Sequence, residues 1–80
     1  MSDLRERLLN IISAVLDREI TVEISDDTKL TDLDINSLSF IQIVVGIEKE
    51  FGIHFDDTML DIESLPDFSQ LEKYIDNMMN

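Results

Sequence analysis

Residues 34–52 read DINSLSFIQIVVGIEKEFG, and this stretch decides the fold. The apolar residues after Ser37 continue for about four helical turns, and Asn36 is a preferred residue at a helix N-cap. Gly52 is typical of the residue that follows a helix. The β-branched residues at 41–45 would also suit a strand, but the length of the stretch and the cap favour an α-helix over residues 37–51.

The apolar residues of this helix cover more than one of its faces. Such a helix either lies at the buried centre of a bundle or leaves part of its apolar surface for partners. Both arrangements are open for Leu38 and Val45, which could pack in the core or face a partner.

Two more amphipathic helices are predicted, one on each side of the central helix. Residues 3–16 carry apolar side chains at helical spacing. A last helix opens at Asp67, where Gln70 three residues later completes a capping-box pattern. One short turn of helix fits residues 56–63.

Residues 17–36 form a long polar connection with apolar side chains at positions 20, 22, 24, 30 and 33. The alternation at the first three of these resembles a strand, but the chain offers no second strand pattern to pair with it. We therefore expect the apolar residues to pin this loop across the helices. The resulting fold class is all-α, a small four-helix bundle of three main helices and one short helix, in one domain over residues 1–80.

Composition limits the kind of protein this is. The 80 residues are 44% hydrophobic, which is ample for one compact core, and they include no cysteine for a disulfide, a thiolate nucleophile or a cysteine zinc site. Residues 1–7 are charged with both signs, and no apolar run has the length of a signal peptide or a membrane span. We expect a cytoplasmic monomer.

The charge of the chain is strongly negative along its whole length. The net charge is −12, of which residues 1–36 carry −5 and residues 37–80 carry −7. Such a surface disfavours nucleic acids and anionic membranes and favours partners with basic surfaces. The acidity alone is equally consistent with a role in keeping a small protein in solution.

Neither catalysis nor specific metal binding is expected. The single histidine, His54, follows the far end of the helix that Ser37 begins, roughly 22 Å away at 1.5 Å per residue, so Ser37 has no histidine base within reach. The pattern Asp32-x-Asp34-x-Asn36 imitates the start of an EF-hand loop. It lacks the glycine at the sixth place and the glutamate at the twelfth that calcium binding requires.

Several segments at characteristic separations resemble the acyl carrier protein and peptidyl carrier protein superfamily, over almost the whole chain. They are the helix over residues 3–16, the segment DDTKLTDL at 26–33, Asn36-Ser37-Leu38, the helix end IEKEFGI at 47–53, and Phe68-x-x-Leu71-x-x-Tyr74-Ile75. The resemblance implies that a phosphopantetheinyl transferase attaches 4′-phosphopantetheine from coenzyme A to Ser37. The terminal thiol would then hold acyl or aminoacyl groups as thioesters.

The resemblance also implies which residues surround the arm and which meet partner enzymes. Asp34, Asn36 and Leu38 flank Ser37 in the motif, and the phosphate would lie at a helix N-terminus, where unpaired N–H groups and the helix dipole favour negative charge. Helical spacing from Leu38 places Gln42, Val45 and Glu48 on the side expected to meet partners. Those partners would be loading ligases and synthases with basic docking patches.

The chain departs from the family pattern in two places, of which the second indicates a specialised carrier. Asn36 replaces the aspartate that usually precedes the serine, which bears on the choice of transferase. Ser39, Gln42 and Lys49 stand where fatty-acid carriers tend to place acids. We expect a stand-alone carrier for a polyketide, nonribosomal peptide or other dedicated acyl pathway. The alternative is an acidic adaptor on the same fold, never modified at Ser37, that binds basic partner surfaces.

Overall fold

The computed structural model of the chain describes residues 3–21 and 23–79. Three α-helices follow one another, α1 (Asp3–Leu16), α2 (Ser37–Phe51) and α3 (Phe68–Met79). Two 3-10 turns, Leu30–Leu33 and Asp57–Met59, lie in the connections between them. The predicted all-α class and the three main helices are confirmed, and the short helix predicted within residues 56–63 is the three-residue 3-10 turn.

Helices α1 and α2 pack closely in antiparallel directions. Near the start of α1, Arg7 Nε donates to Glu50 Oε2 at 2.9 Å, and its guanidinium lies 4.3 Å above the ring of Phe51 at the end of α2. Between the helices, Gly46 faces Ile11 so closely that a Cβ at position 46 would lie 2.7 Å from Ile11 Cγ2. The absent side chain therefore sets how near the two helices can come.

The long loop after α1 crosses to the start of α3. The N–H groups of Phe68 and Ser69 donate to the carbonyls of Thr28 and Asp26, each at 3.1 Å. Loop carbonyls thus satisfy the first amides of α3, which have no acceptor inside the helix. The predicted cap of α3 is confirmed on one side, since Gln70 N–H donates to Asp67 Oδ1 at 2.9 Å.

An ion-pair cluster fastens α1 to both the loop and α3. Arg5 Nε donates to Glu72 Oε2 at 2.7 Å and Arg5 Nη2 to Glu72 Oε1 at 3.1 Å, while Asp26 takes a further bond from Nη2. The hydrogen bond to Glu72 and then that to Asp26 raise the pKa of Arg5 above its ordinary value. Both contacts thus favour the charged form of a guanidinium that is ordinarily charged in proteins.

One apolar core lies between the helices and the loop. Ile20 and Ile24 pack against this core, and Leu30 and Leu33 are buried in it, so the loop is pinned across the helices as predicted; Val22 lies outside the described residues. The ring of Phe55 contacts Tyr74 with centroids 4.8 Å apart. The buried side chains are Leu8, Ile12, Leu30, Leu33, Ile35, Phe40, Ile43, Val44, Ile47, Phe55, Ile62, Leu65, Phe68, Leu71 and Ile75.

Candidate functional site

A tight turn precedes Ser37 in the chain. The 3-10 turn Leu30–Leu33 ends at Asp34, which has left-handed backbone angles (φ 62°, ψ 27°) and donates its N–H to Thr31 O at 3.1 Å. Leu33 and Ile35 on either side of Asp34 are both buried. Two apolar anchors therefore hold the turn against the core and leave the carboxylate of Asp34 in solvent.

Asn36 caps α2, as its sequence position predicts. Its backbone is extended, and its side-chain Oδ1 accepts the N–H of Ser39 at 2.8 Å. Its carbonyl accepts the N–H of Phe40, also at 2.8 Å. Ser37 is consequently the first helical residue, and it is exposed.

The surroundings of the Ser37 hydroxyl fit a phosphodiester. Asn36 satisfies two amides of the first turn, and within residues 3–21 and 23–79 the N–H groups of Ser37 and Leu38 make no hydrogen bond. These amides and the positive end of the helix dipole favour an anion here. No acidic residue lies in the first turn of α2, so no carboxylate on the helix itself opposes that anion.

One face of α2 presents apolar side chains to solvent. Leu38 is 68% exposed, Ile41 44% and Val45 43%, and Gln42 beside them is exposed as well. We call these four residues the exposed strip. They lie on the side of the helix opposite its buried residues Phe40, Ile43, Val44 and Ile47. Of the two arrangements open for Leu38 and Val45, core packing is excluded.

Ile41 belongs to the exposed strip although sequence reasoning did not single it out. The available signal was its position, three residues after Leu38 and four before Val45, where it must share their face. Ile41 also stands within a run of β-branched residues that suits a core equally well, so the sequence alone does not separate the two positions.

Glu48, predicted to face partners, has a partner within the chain. Its Oε2 accepts the N–H of Phe55 at 2.8 Å and lies 3.4 Å from His54 Nδ1, and its side chain is 24% exposed. The carboxylate thus joins the last turn of α2 to the segment that follows it. A docking role for Glu48 stays a prediction, and any partner would have to share the carboxylate with Phe55.

The residues considered for catalysis or calcium lie apart or have other contacts. His54 is almost fully exposed beyond Gly52, at the end of α2 remote from Ser37. Asp34 lies near Arg18, with 3.8 Å between its Oδ2 and Arg18 Nη2, and Asn36 is occupied as the cap. In the described ranges, no three His, Cys, Asp or Glu side chains come together to hold a metal ion. No helix there is long and apolar enough to cross a membrane.

Comparison with known families identifies the family of the chain. The family model described as a phosphopantetheine attachment site matches residues 6–75, which include the turn, the capped serine, all of α2 and most of α1 and α3. The chain belongs to the phosphopantetheine-binding carrier family. Carriers of this family bear a covalently attached 4′-phosphopantetheine, act with transferases and synthases, and are not themselves enzymes. The superfamily resemblance seen in the sequence is confirmed.

Curated relatives of this carrier include proteins named as polyketide synthase, acyl and aminoacyl carriers. The chain is 35% identical to polyketide-8 synthase acyl carrier protein 2 of Streptomyces avermitilis over 57 residues, which are 70% of this chain and 64% of that protein. It is 32% identical over 76 residues to an acyl carrier protein of Zymomonas mobilis, covering 95% of both. It is 20% identical to aminoacyl carrier protein 1 of Bradyrhizobium diazoefficiens over 92% of this chain and 83% of that one. Among solved structures none matches the chain significantly.

Proposed function

We propose that Ser37 bears the 4′-phosphopantetheine arm and that the chain carries acyl or aminoacyl groups as thioesters on its terminal thiol. The observation that carries this proposal is the exposed Ser37 hydroxyl at the first position of a capped helix, within the family match. In the transfer, Ser37 Oγ forms a bond to the phosphorus next to pantetheine while the P–O bond of the pyrophosphate link in coenzyme A breaks. Adenosine 3′,5′-bisphosphate leaves, and a base of the transferase takes up the hydroxyl proton.

The position of Ser37 suits such an arm. A group attached at the first residue of α2 extends outward from the end of the helix, while its phosphate stays near the amides of Ser37 and Leu38. Asn36 and Asp34 shape this end of the helix, and Ser37 beside them is exposed. The chain supplies position and recognition, and its partner enzymes supply catalysis.

The exposed strip is the proposed docking surface for those enzymes. Leu38 lies next to the arm, and Ile41 and Val45 continue the apolar surface along α2. The rest of the chain is strongly acidic, so a complementary partner presents an apolar groove with basic residues around it. Apolar burial at the centre of such an interface provides affinity, while the surrounding charges speed the encounter.

A dedicated acyl or aminoacyl pathway, such as polyketide or nonribosomal peptide synthesis, is the proposed setting. The support for it is that Ser39, Gln42 and Lys49 stand where fatty-acid carriers tend to place acids, together with relatives named as polyketide and aminoacyl carriers.

The test is mass spectrometry of the intact protein after incubation with coenzyme A and a broad-specificity phosphopantetheinyl transferase. The expected result is a mass gain of one phosphopantetheinyl group, lost in Ser37→Ala and retained in the matched control Ser39→Ala. No gain with several transferases would leave the chain as an unmodified adaptor. A gain that persists in Ser37→Ala would place the arm elsewhere.

A further inference from the structure

Arg18 connects the end of α1 to the turn before Ser37. It stands two residues after α1, and its Nη2 donates to the carbonyl of Leu33, the last residue of the 3-10 turn. The same nitrogen lies 3.8 Å from Asp34 Oδ2. One guanidinium therefore contacts both residues of the peptide unit at which the chain turns toward Ser37.

The backbone of Arg18 is itself fixed to α1. The hydroxyl of Ser13 donates to Arg18 O at 2.7 Å, and Arg18 N–H donates to Ser13 O at 3.2 Å. The chain reaches this position through Asp17, whose left-handed backbone (φ 55°) ends the helix. The Arg18 side chain thus extends from a backbone that is hydrogen-bonded to α1.

The contact matters because it adds a restraint to the turn. Asp34 holds left-handed backbone angles, which aspartate tolerates better than most residues but which still cost free energy relative to the right-handed region. The buried side chains of Leu33 and Ile35 fix how deeply the turn sits in the core. The hydrogen bond from Arg18 also restrains the orientation of the Leu33 carbonyl. It therefore helps to set the direction of the backbone from Leu33 to Asn36 and Ser37.

The ion pair with Asp34 is the smaller part of this contact. Both side chains are substantially exposed, and solvent screens such pairs until they contribute little. The charge-assisted bond to the carbonyl is the stronger of the two.

We propose that Arg18 is a positioning residue that holds the turn 33–36 so that Ser37 is presented correctly to the phosphopantetheinyl transferase. This inference rests on the proposed function of Ser37. If Arg18 acts in this way, its loss lowers the fraction of carrier molecules whose turn is competent. The apparent affinity of the transferase for the carrier then falls in proportion, while turnover of bound carrier stays nearly unchanged.

The experiment measures kcat and KM of a phosphopantetheinyl transferase for the wild-type carrier, Arg18→Met, Arg18→Lys and the control Arg7→Met. Arg7 suits the control because it also extends from α1 into an ion pair, but at the opposite end of α2. In parallel, hydrogen exchange of the Asp34 amide, which donates to Thr31 O, reports the turn without any enzyme.

For Arg18→Met we expect KM for the carrier to rise about fivefold to tenfold, with kcat within about twofold of wild type, as one charge-assisted hydrogen bond allows. Exchange of the Asp34 amide should quicken by a similar factor. Arg18→Lys should restore most of both values, because its ammonium can donate to the same carbonyl. Arg7→Met should leave both near wild type.

The inference is overturned if Arg18→Met keeps the wild-type KM and amide exchange, if Arg7→Met raises KM equally, or if lysine is no better than methionine. A wild-type carrier that no transferase modifies would instead contradict the proposed function of Ser37. The exchange measurement would then still decide whether Arg18 holds the turn.

Discussion

Replacing Asn36 by alanine removes the side-chain cap of α2 and should destabilise the whole protein. The lost contact is the 2.8 Å hydrogen bond from Ser39 N–H to Asn36 Oδ1, after which that amide has only water as an acceptor. The loss of such a cap costs about 1 kcal/mol, within a range of about 0.5–2. For a domain of this size, each kcal/mol lowers the melting temperature by about 4–8 °C.

Aspartate at the same position should have the opposite effect. Asn36→Asp keeps an acceptor for Ser39 N–H and adds a negative charge at the positive end of the helix dipole, which contributes about 0.3–1 kcal/mol at low salt. Repulsion from the nearby carboxylate of Asp34 offsets part of this gain. Because the gain is electrostatic and exposed, it should shrink as salt is added. Aspartate is also the usual family residue here, so modification of this variant should be faster.

The assay is urea unfolding followed by circular dichroism, with Asn10→Ala as the matched control. Asn10 is exposed on α1, where alanine is the better helix former, so this variant should be as stable as wild type or more so. The m-value should stay constant throughout, which shows that the midpoint reports stability. A stabilising role for the Asn36 cap is refuted if the free energy of unfolding of Asn36→Ala stays within about 0.3 kcal/mol of wild type, or if Asn10→Ala loses as much stability as Asn36→Ala.

Substitutions at three further places test the fold and the exposed strip. Gly46→Ala should lower the free energy of unfolding by about 1 kcal/mol in urea, because overpacking against Ile11 outweighs the gain in helix propensity. The double variant Gly46→Ala/Ile11→Ala should lose less stability than the two single variants together, and strict additivity would refute the clash. In the same assay Asp34→Val should lower the free energy of unfolding by about 1–2 kcal/mol, because valine is strained at positive φ. Asp34→Gly should stay within about 0.5 kcal/mol of wild type, since glycine is not strained there, and equal losses in the two variants would contradict this reason. The single variants Leu38→Ser and Ile41→Ser should each stay within about 0.5 kcal/mol of the wild-type free energy of unfolding, because both side chains are exposed. Each should raise the KM of the transferase for the carrier at least about fivefold, and an unchanged KM would show that the strip is not a docking surface.

The helices could be predicted from the sequence because their signals are local. Asn36 and Gly52 mark the ends of α2, and the structure shows Asn36 as its cap and Gly52 in the left-handed conformation (φ 67°) that follows a helix. The packing of the loop against the helices was also predictable, since leucines such as Leu30 and Leu33 are usually buried, and both lie in the core.

Features of the site that depend on distant contacts could not be predicted. Spacing along α2 placed Glu48 on the partner-facing side, but its carboxylate turns to the N–H of Phe55, seven residues away in the chain. The bond from Arg18 to the carbonyl of Leu33 joins residues fifteen apart, and no periodicity signals it. Helical spacing tells which side chains share a face, whereas the partner of a long polar side chain depends on how the loops fold back.

The most direct test of the account is to locate the attached group. The carrier modified by a phosphopantetheinyl transferase would be digested and its peptides fragmented, so that the two nearby serines, Ser37 and Ser39, are distinguished. Phosphopantetheine is expected on Ser37 alone, at the first residue of α2. Phosphopantetheine on Ser39 or another serine, or no modified peptide at all, would contradict it.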